Sequence, residues 1–194
     1  TGALVERKHK WEKAVKEVST ICPHCPVGCR INLEVSKKSQ IIRSIPDRLG
    51  EANRGQACFK GKFGMEYLNS GKRLLKPMVK SEGVFNPTSW PDALDLIAQR
   101  LSGYKGNQYA MVVSPMASNE DNFVAQKFAR EVMRTNNINV SSDIRPQLTE
   151  TLGKILGIPA ATNSIWELLD SKAFMVVSSN LTEEQNVAAI PIKQ

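Results

Sequence analysis

Long apolar runs are missing. No stretch approaches the ~20 consecutive apolar residues that a membrane-spanning helix needs, so no insertion into a bilayer is expected. Aromatic residues make up only 6% of the chain and do not interleave with the basic ones, which argues against a base-stacking surface for nucleic acid. Repeats and low-complexity tracts are also missing. No apolar stretch of signal-peptide character opens the chain, and a cytoplasmic protein is the expectation. The first residue is Thr1 rather than methionine, so processing or trimming of the natural N-terminus is expected. Histidine is scarce, with two copies, and cysteine stands at four. The net charge of +7 is spread along the chain, with small basic clusters at "ERKHKWEK" and "FKGKFG". Solvated faces account for such a spread, and so does contact with a phosphate-bearing small molecule.

What is present divides by texture. Residues 3–18 place Leu4, Trp11, Ala14, Val15 and Val18 on one stripe at helical spacing, which predicts an amphipathic helix. Trp11 and that stripe are candidates for a partner contact. Residues 19–72 read as a small β-rich domain. "RINLEVSKKSQIIRSI" alternates, turns at Lys37–Ser39 and alternates again, which predicts a β-hairpin. "DRLGEANRGQ" is loop-like, and a short helix is expected after Cys58. The domain is short of apolar core, and small domains of this kind usually need a metal as a staple.

Residues 73–89, punctuated by proline and glycine, read as a linker. Residues 90–194 read as the beginning of a parallel-sheet α/β domain. "SWPDALDLIAQRL" has a capping serine and an early proline, and "NEDNFVAQKFAREVMRT" is a second amphipathic helix. "YAMVVSP" and "AFMVVSSN" are apolar enough for buried parallel strands. Two such strands make too small a sheet, so this domain is expected to be incomplete and the chain to be part of something longer or of a complex.

The four cysteines form C-x2-C-x3-C-x28-C, at Cys22, Cys25, Cys29 and Cys58. A disulfide framework would pair them within one tight loop, and nothing points to an oxidising compartment. Structural zinc favours two C-x2-4-C knuckles, whereas Cys58 has no nearby partner and only His24 adds a further donor near the motif. Four unrelated buried cysteines would not gather three within eight positions. A [4Fe–4S] cluster takes one thiolate per iron, and three ligands on one loop with a fourth from elsewhere suit it. Pro23 and Pro26 stiffen that loop, and Gly28 lets its backbone curve closely around a bulky core.

"TICPHCPVGCRINLEV" followed by "NRGQACFKGKFG" resembles the N-terminal cluster domain of the Mo/W-bis-pterin (molybdopterin) oxidoreductases, with the closest likeness to formate dehydrogenase large subunits. The likeness continues through "KRLLKPMV", "SWPDALDLIAQRL", "NEDNFVAQKFAREVMRTNNIN", "ATNSIWELLDS" and "VVSSNLTEEQNVAAIPIKQ". It implies that the cluster relays electrons between a pterin-bound metal and external acceptors. By match, Lys60 of Cys58-Phe59-Lys60-Gly61 lies between cluster and pterin, and Ser179, Asn180 and Glu183 meet one pterin nucleotide. Ser178 stands where the family usually has glycine, and Leu181 where proline is common. Formate dehydrogenases also carry a metal-binding cysteine or selenocysteine followed by histidine. In this sequence that register falls on about Asp143 to Arg145, with neither residue type nearby. Either Asp143 binds the metal through oxygen, with Arg145 neutralising an anionic ligand, or the loop holds no metal ligand.

The expectation is therefore an iron–sulfur electron-transfer module related to formate dehydrogenase, acting with other redox subunits of a larger complex. The alternatives are a fragment of a catalytic Mo/W-bis-pterin oxidoreductase, with bis-pterin guanine dinucleotide bound once missing segments complete it, and a zinc-stapled scaffold.

Overall fold

A computed structural model describes residues 8–141 and 146–194. Leu4, Asp143 and Arg145 lie outside the described residues, so the expectations placed on them have no structural counterpart here. The described chain forms two compact units: one joins the residues up to Gly71 with Thr151–Gln194, and the other is Lys72–Glu150. This division differs from the sequence-level one, which kept residues 90–194 together.

The first unit is built on a three-stranded antiparallel sheet. Strands β1 (Lys16–Ile21), β2 (Arg30–Val35) and β3 (Ile41–Pro46) lie in sequence order, with Val18 opposite Leu33 and Leu33 opposite Ser44. The predicted hairpin is β2–β3, and Ser39 in its turn takes φ 58°. Ile31 and Leu33 alternate into the core, as strand periodicity requires. The loop after β3 is pinned by Asn53, which is fully buried. Its Oδ1 accepts from Arg30 N at 2.9 Å, and its Nδ2 donates to the carbonyls of Arg30 and Gln56 at 3.1 and 2.9 Å. Helix α1 (Phe59–Phe63) and a 3-10 turn (Glu66–Asn69) follow.

The predicted N-terminal helix does not form over its described part. Lys8–Trp11 is a turn, and Lys16–Ile21 is the edge strand β1. The reason lies on β3. The Arg43 guanidinium ion-pairs with Glu34 and donates to the carbonyls of His9 and Glu12, both at 3.0 Å. An α-helix would use those two carbonyls for its own i→i+4 bonds. Val15 N then donates to Val35 O at 2.8 Å, which starts the ladder. The β-branched Val18, Thr20 and Ile21 are also better suited to a strand.

In the second unit, residues 73–89 are more than a linker. Strands β4 (Met78–Ser81) and β5 (Val84–Pro87) form an antiparallel hairpin. Its two turn residues, Glu82 and Gly83, have φ 52° and 85°, the conformation that matches the twist of a tight hairpin. Helix α2 (Trp90–Leu101) starts where expected: Ser89 Oγ accepts from Asp92 N at 3.2 Å, and Pro91 sits in the first turn. Strand β6 (Met111–Val113) precedes helix α3 (Asn119–Lys127), which continues through one π-helical turn (Phe128–Val132). The Ser118–Asp121 capping box sets the start of α3. Strand β7 (Ile138–Val140) pairs parallel to β6, with Met111 opposite Ile138. Mixed helices and strands with a parallel pair place the fold in the α/β class, as expected.

Two expectations about strands are corrected. β6 is not buried on both faces, since Val112 is exposed. Residues 173–180 form no strand, and Met175 and Val177 are exposed. An extended segment becomes a strand only when a neighbour takes its N–H and C=O groups. β6 pairs with β7, and 173–180 has no strand partner among the described residues.

The chain continues with helix α4 (Pro146–Leu156), a 3-10 turn (Ile165–Asp170), and helices α5 (Leu181–Glu184) and α6 (Asn186–Lys193). The 3-10 turn is anchored to the Asn53 loop within the first unit. Trp166 Nε1 donates to Ala52 O at 3.0 Å, and the Arg54 guanidinium lies 4.9 Å from the Trp166 ring centre.

Candidate metal centre

The first three cysteines occupy the connection between β1 and β2. Cys22 N donates to Cys29 O at 2.8 Å, so the sheet's own ladder closes the base of the loop. Gly28 takes φ 69° one residue before that closure, a conformation in which a side chain would be strained. Cys58 stands immediately before α1 with extended backbone. Ser44 Oγ on β3 donates to Gly61 O at 2.7 Å, which ties α1 to the sheet. His24 Nε2 donates to Gly64 O at 3.2 Å and joins the cysteine loop to the end of α1. A side chain at residue 64 would meet His24 Nε2 at 2.9 Å and Lys60 O at 2.5 Å, so only glycine fits there.

These restraints bring all four cysteines to one cavity. It is lined by Cys22, Cys25, Cys29 and Cys58, with His24, Ala57, Gly61, Asn186 and Val187. Its back wall is the core of the unit, where Val27, Ile31, Leu33 and Met65 are buried beside the thiols. None of the four cysteines is in a disulfide. Burial, then the like charges of Cys25, Cys22 and Cys58, push the Cys29 thiol up to about 11. Burial also raises Cys22, partly offset by a backbone hydrogen bond from His24.

This donor set fits a [4Fe–4S] cluster, which takes one thiolate per iron: the four cysteines line one shared space. An added Cβ at Gly61 would project to 3.6 Å from Cys22 Sγ, into the cradle. A bound cation would favour the thiolate forms of these clustered cysteines.

The other expected site residues are dispersed. Lys60 is exposed on α1 and does not line the cavity. Lys62, which the sequence did not single out, is the half-buried lysine of that helix. Burial holds its ammonium below the usual range, against the pull of Glu34 and with the repulsion of Arg43. Ser179, Asn180 and Glu183 lie together at the entry to α5 and are exposed. The Asn180 carbonyl accepts from Glu183 N and Glu184 N at 3.0 and 2.9 Å, and Ser179 Oγ donates to Glu184 Oε2 at 3.0 Å. Ser178, at the position where glycine is the family habit, has φ 51°. The backbone there does adopt the left-handed conformation that favours glycine. Sequence reasoning missed Val187 and Asn186. Nothing in their local sequence connects them to cysteines so distant along the chain.

Residues 73–194 match the family model described as molybdopterin oxidoreductase, and residues 15–70 match the molybdopterin oxidoreductase Fe4S4 domain. The chain is 37% identical over 175 residues to a formate dehydrogenase alpha subunit of Methanococcus maripaludis, covering 90% of this chain and 26% of that protein. It is 36% identical to a formate dehydrogenase alpha subunit of Methanocaldococcus jannaschii, with the same coverage of each chain. It is 32% identical to an NADH-quinone oxidoreductase subunit of Rhizobium meliloti, covering 96% of this chain and 22% of that protein. The chain thus spans about a quarter of the length of these relatives.

Proposed function

Since the chain belongs to the molybdopterin oxidoreductase family and carries its Fe4S4 domain, we propose that it is an electron-transfer module working within a larger redox complex. Cys22, Cys25, Cys29 and Cys58 are the cluster ligands in this reading. The observation that carries it is their convergence on one cavity with their thiols free. A [4Fe–4S] cluster held there supplies a one-electron couple. The chain's own residues give that couple its surroundings. The loop closed by Cys22 and Cys29 holds three donors in register with the sheet. Ser44 and His24 fix α1 and with it Cys58. The core behind the thiols keeps water away, and Lys60 provides a cation one residue beyond Phe59.

The relatives named above include both formate dehydrogenases and part of an NADH-quinone oxidoreductase. What those names share is electron transfer rather than one substrate, which supports the relay reading. The names of these relatives also describe subunits, which supports other redox subunits as the partners. Trp11, exposed beside Lys10, is our candidate for such a contact. Among the described residues no helix is long and apolar enough to cross a membrane.

One observation favours a second reading, that the chain is part of a catalytic Mo/W-bis-pterin oxidoreductase. The left-handed backbone at Ser178 and the exposed Ser179, Asn180 and Glu183 beside it form a polar turn at the positions the family resemblance assigns to a pterin nucleotide. Elemental analysis of the oxygen-free protein in its complete assembly separates the two. About four irons per chain without molybdenum or tungsten support the relay. Iron with stoichiometric molybdenum or tungsten supports the catalytic reading, and zinc in place of iron refutes both.

A further inference from the structure

The cysteine loop and the segment from Ala57 to Gly61 supply most of the cavity lining, and the remaining wall comes from the far end of the sequence. Val187, in the first turn of α6, lines the cavity and is only 3% exposed. It belongs to the same buried cluster as Cys22, Cys29, Ile31 and Met65, with Ile165 and Ala188 packed around it. Its neighbour Asn186 also lines the cavity, but its amide donates to the Thr182 carbonyl within the α5–α6 turn. The group presented to the thiols from this side is therefore mainly an isopropyl side chain.

The position of that wall is set by remote anchors. α6 packs on the 3-10 turn Ile165–Asp170, and the indole of Trp166 fastens that turn to the Ala52 carbonyl. Asn180, at the entry to α5, lies on the same short stretch of chain. Thus the segment that presents Ser179, Asn180 and Glu183 also closes the cavity at Val187.

We infer that Val187 is a positioning residue that closes the cluster cavity against water and so holds the reduction potential down. The inference rests on the cluster reading above. A cluster with four thiolates is anionic, and taking up one electron adds a negative charge without any proton exchanged by Val187. Water or a hydroxyl at that wall stabilises the extra charge, whereas an apolar wall disfavours it. The potential should therefore rise when the wall is opened or made polar, and stay put when it remains apolar and full-sized.

The test uses the full chain reconstituted with iron and sulfide without oxygen, in four forms: parent, Val187→Ala, Val187→Thr and Val187→Ile. Iron content, the electron paramagnetic resonance signal after dithionite reduction and the midpoint potential are measured on each. The expected result is full iron and the same signal type throughout, with Val187→Ile unchanged. Val187→Ala and Val187→Thr should each raise the reduced-to-oxidised ratio at fixed ambient potential about tenfold, about 59 mV for one electron. Val187→Thr is nearly isosteric and isolates polarity from volume. Full iron with unmoved potentials in both variants would overturn the inference and leave the cluster reading standing. Loss of iron in Val187→Thr while Val187→Ile keeps it would also overturn it, because Val187 would then be part of the frame rather than a regulator. A parent chain that takes up no iron would refute the cluster reading itself.

Discussion

Replacing Asn53 with alanine removes three hydrogen bonds to the backbone at once, although Arg30 C=O keeps the Asp47 N–H at 3.0 Å. The Asn53 amide satisfies Arg30 N–H, Arg30 C=O and Gln56 C=O, at 2.9, 3.1 and 2.9 Å, from a site with no exposure. Each hydrogen bond contributes about 1 kcal/mol net, and leaving a buried partner unpaired adds to the loss. The expected destabilisation is roughly 3–5 kcal/mol, because water cannot easily reach the orphaned groups. Arg30 follows Cys29 directly, so the damage falls on the base of the cysteine loop. Amide hydrogen exchange on the iron-loaded chain reads this locally, since opening free energies appear as exchange rates. A loss of about 3 kcal/mol predicts exchange faster by about two orders of magnitude in peptides covering β2 and the Asn53 loop. Trp11→Ala serves as the control. Trp11 is 87% exposed, so its loss should leave the same peptides within about 0.5 kcal/mol of the parent. Acceleration below tenfold in Asn53→Ala would refute the argument that this amide pins the loop.

Three further outcomes are expected. Cys58→Ala should lose the iron and lower the melting temperature of the first unit, since metal binding and folding are coupled in such sites; retained iron with an unchanged melting temperature would contradict the four-cysteine assignment. Lys60→Met should keep the iron and lower the midpoint potential, because an exposed cation near the cluster favours the more negative reduced state, and the effect should shrink as salt is added. In the metal-free chain the raised Cys29 thiol keeps a proton that the unfolded chain releases. Its contribution to stability is complete below the ordinary thiol value of 9.0 and is lost as pH rises through about 11. Thermal melts of metal-free Cys29→Ser should show a smaller decline over that window than the parent.

Elements that depend on local chemistry were legible in the sequence. The β2–β3 hairpin follows from alternation and a polar turn, and α2 from the Ser89 cap and Pro91. The cysteine loop was legible because three thiols in eight residues have few uses. Errors arose where a distant group competed with a local preference. The stripe from Trp11 to Val18 is at helical spacing, but Arg43 takes the carbonyls of His9 and Glu12. The apolar run at 173–180 reads as a strand, but β6 pairs with Ile138–Val140 instead. The hairpin within 73–89 was legible in principle from Glu82-Gly83, a pair suited to a tight turn.

Sequence alone determined the donor chemistry: which thiols are present, their spacing, and the Gly28 that lets their loop close. Residue identity and short-range backbone preference travel with the chain wherever it goes. Tertiary structure decided what surrounds those thiols. Val187 on one side, Ser44 and His24 bracing α1, and Asn53 beneath the loop reach the site only through long-range packing. The burial that raises the Cys29 thiol comes from the same packing. Solvation and dielectric belong to a folded volume rather than to any stretch of residues, and they govern how readily a bound cluster takes an electron.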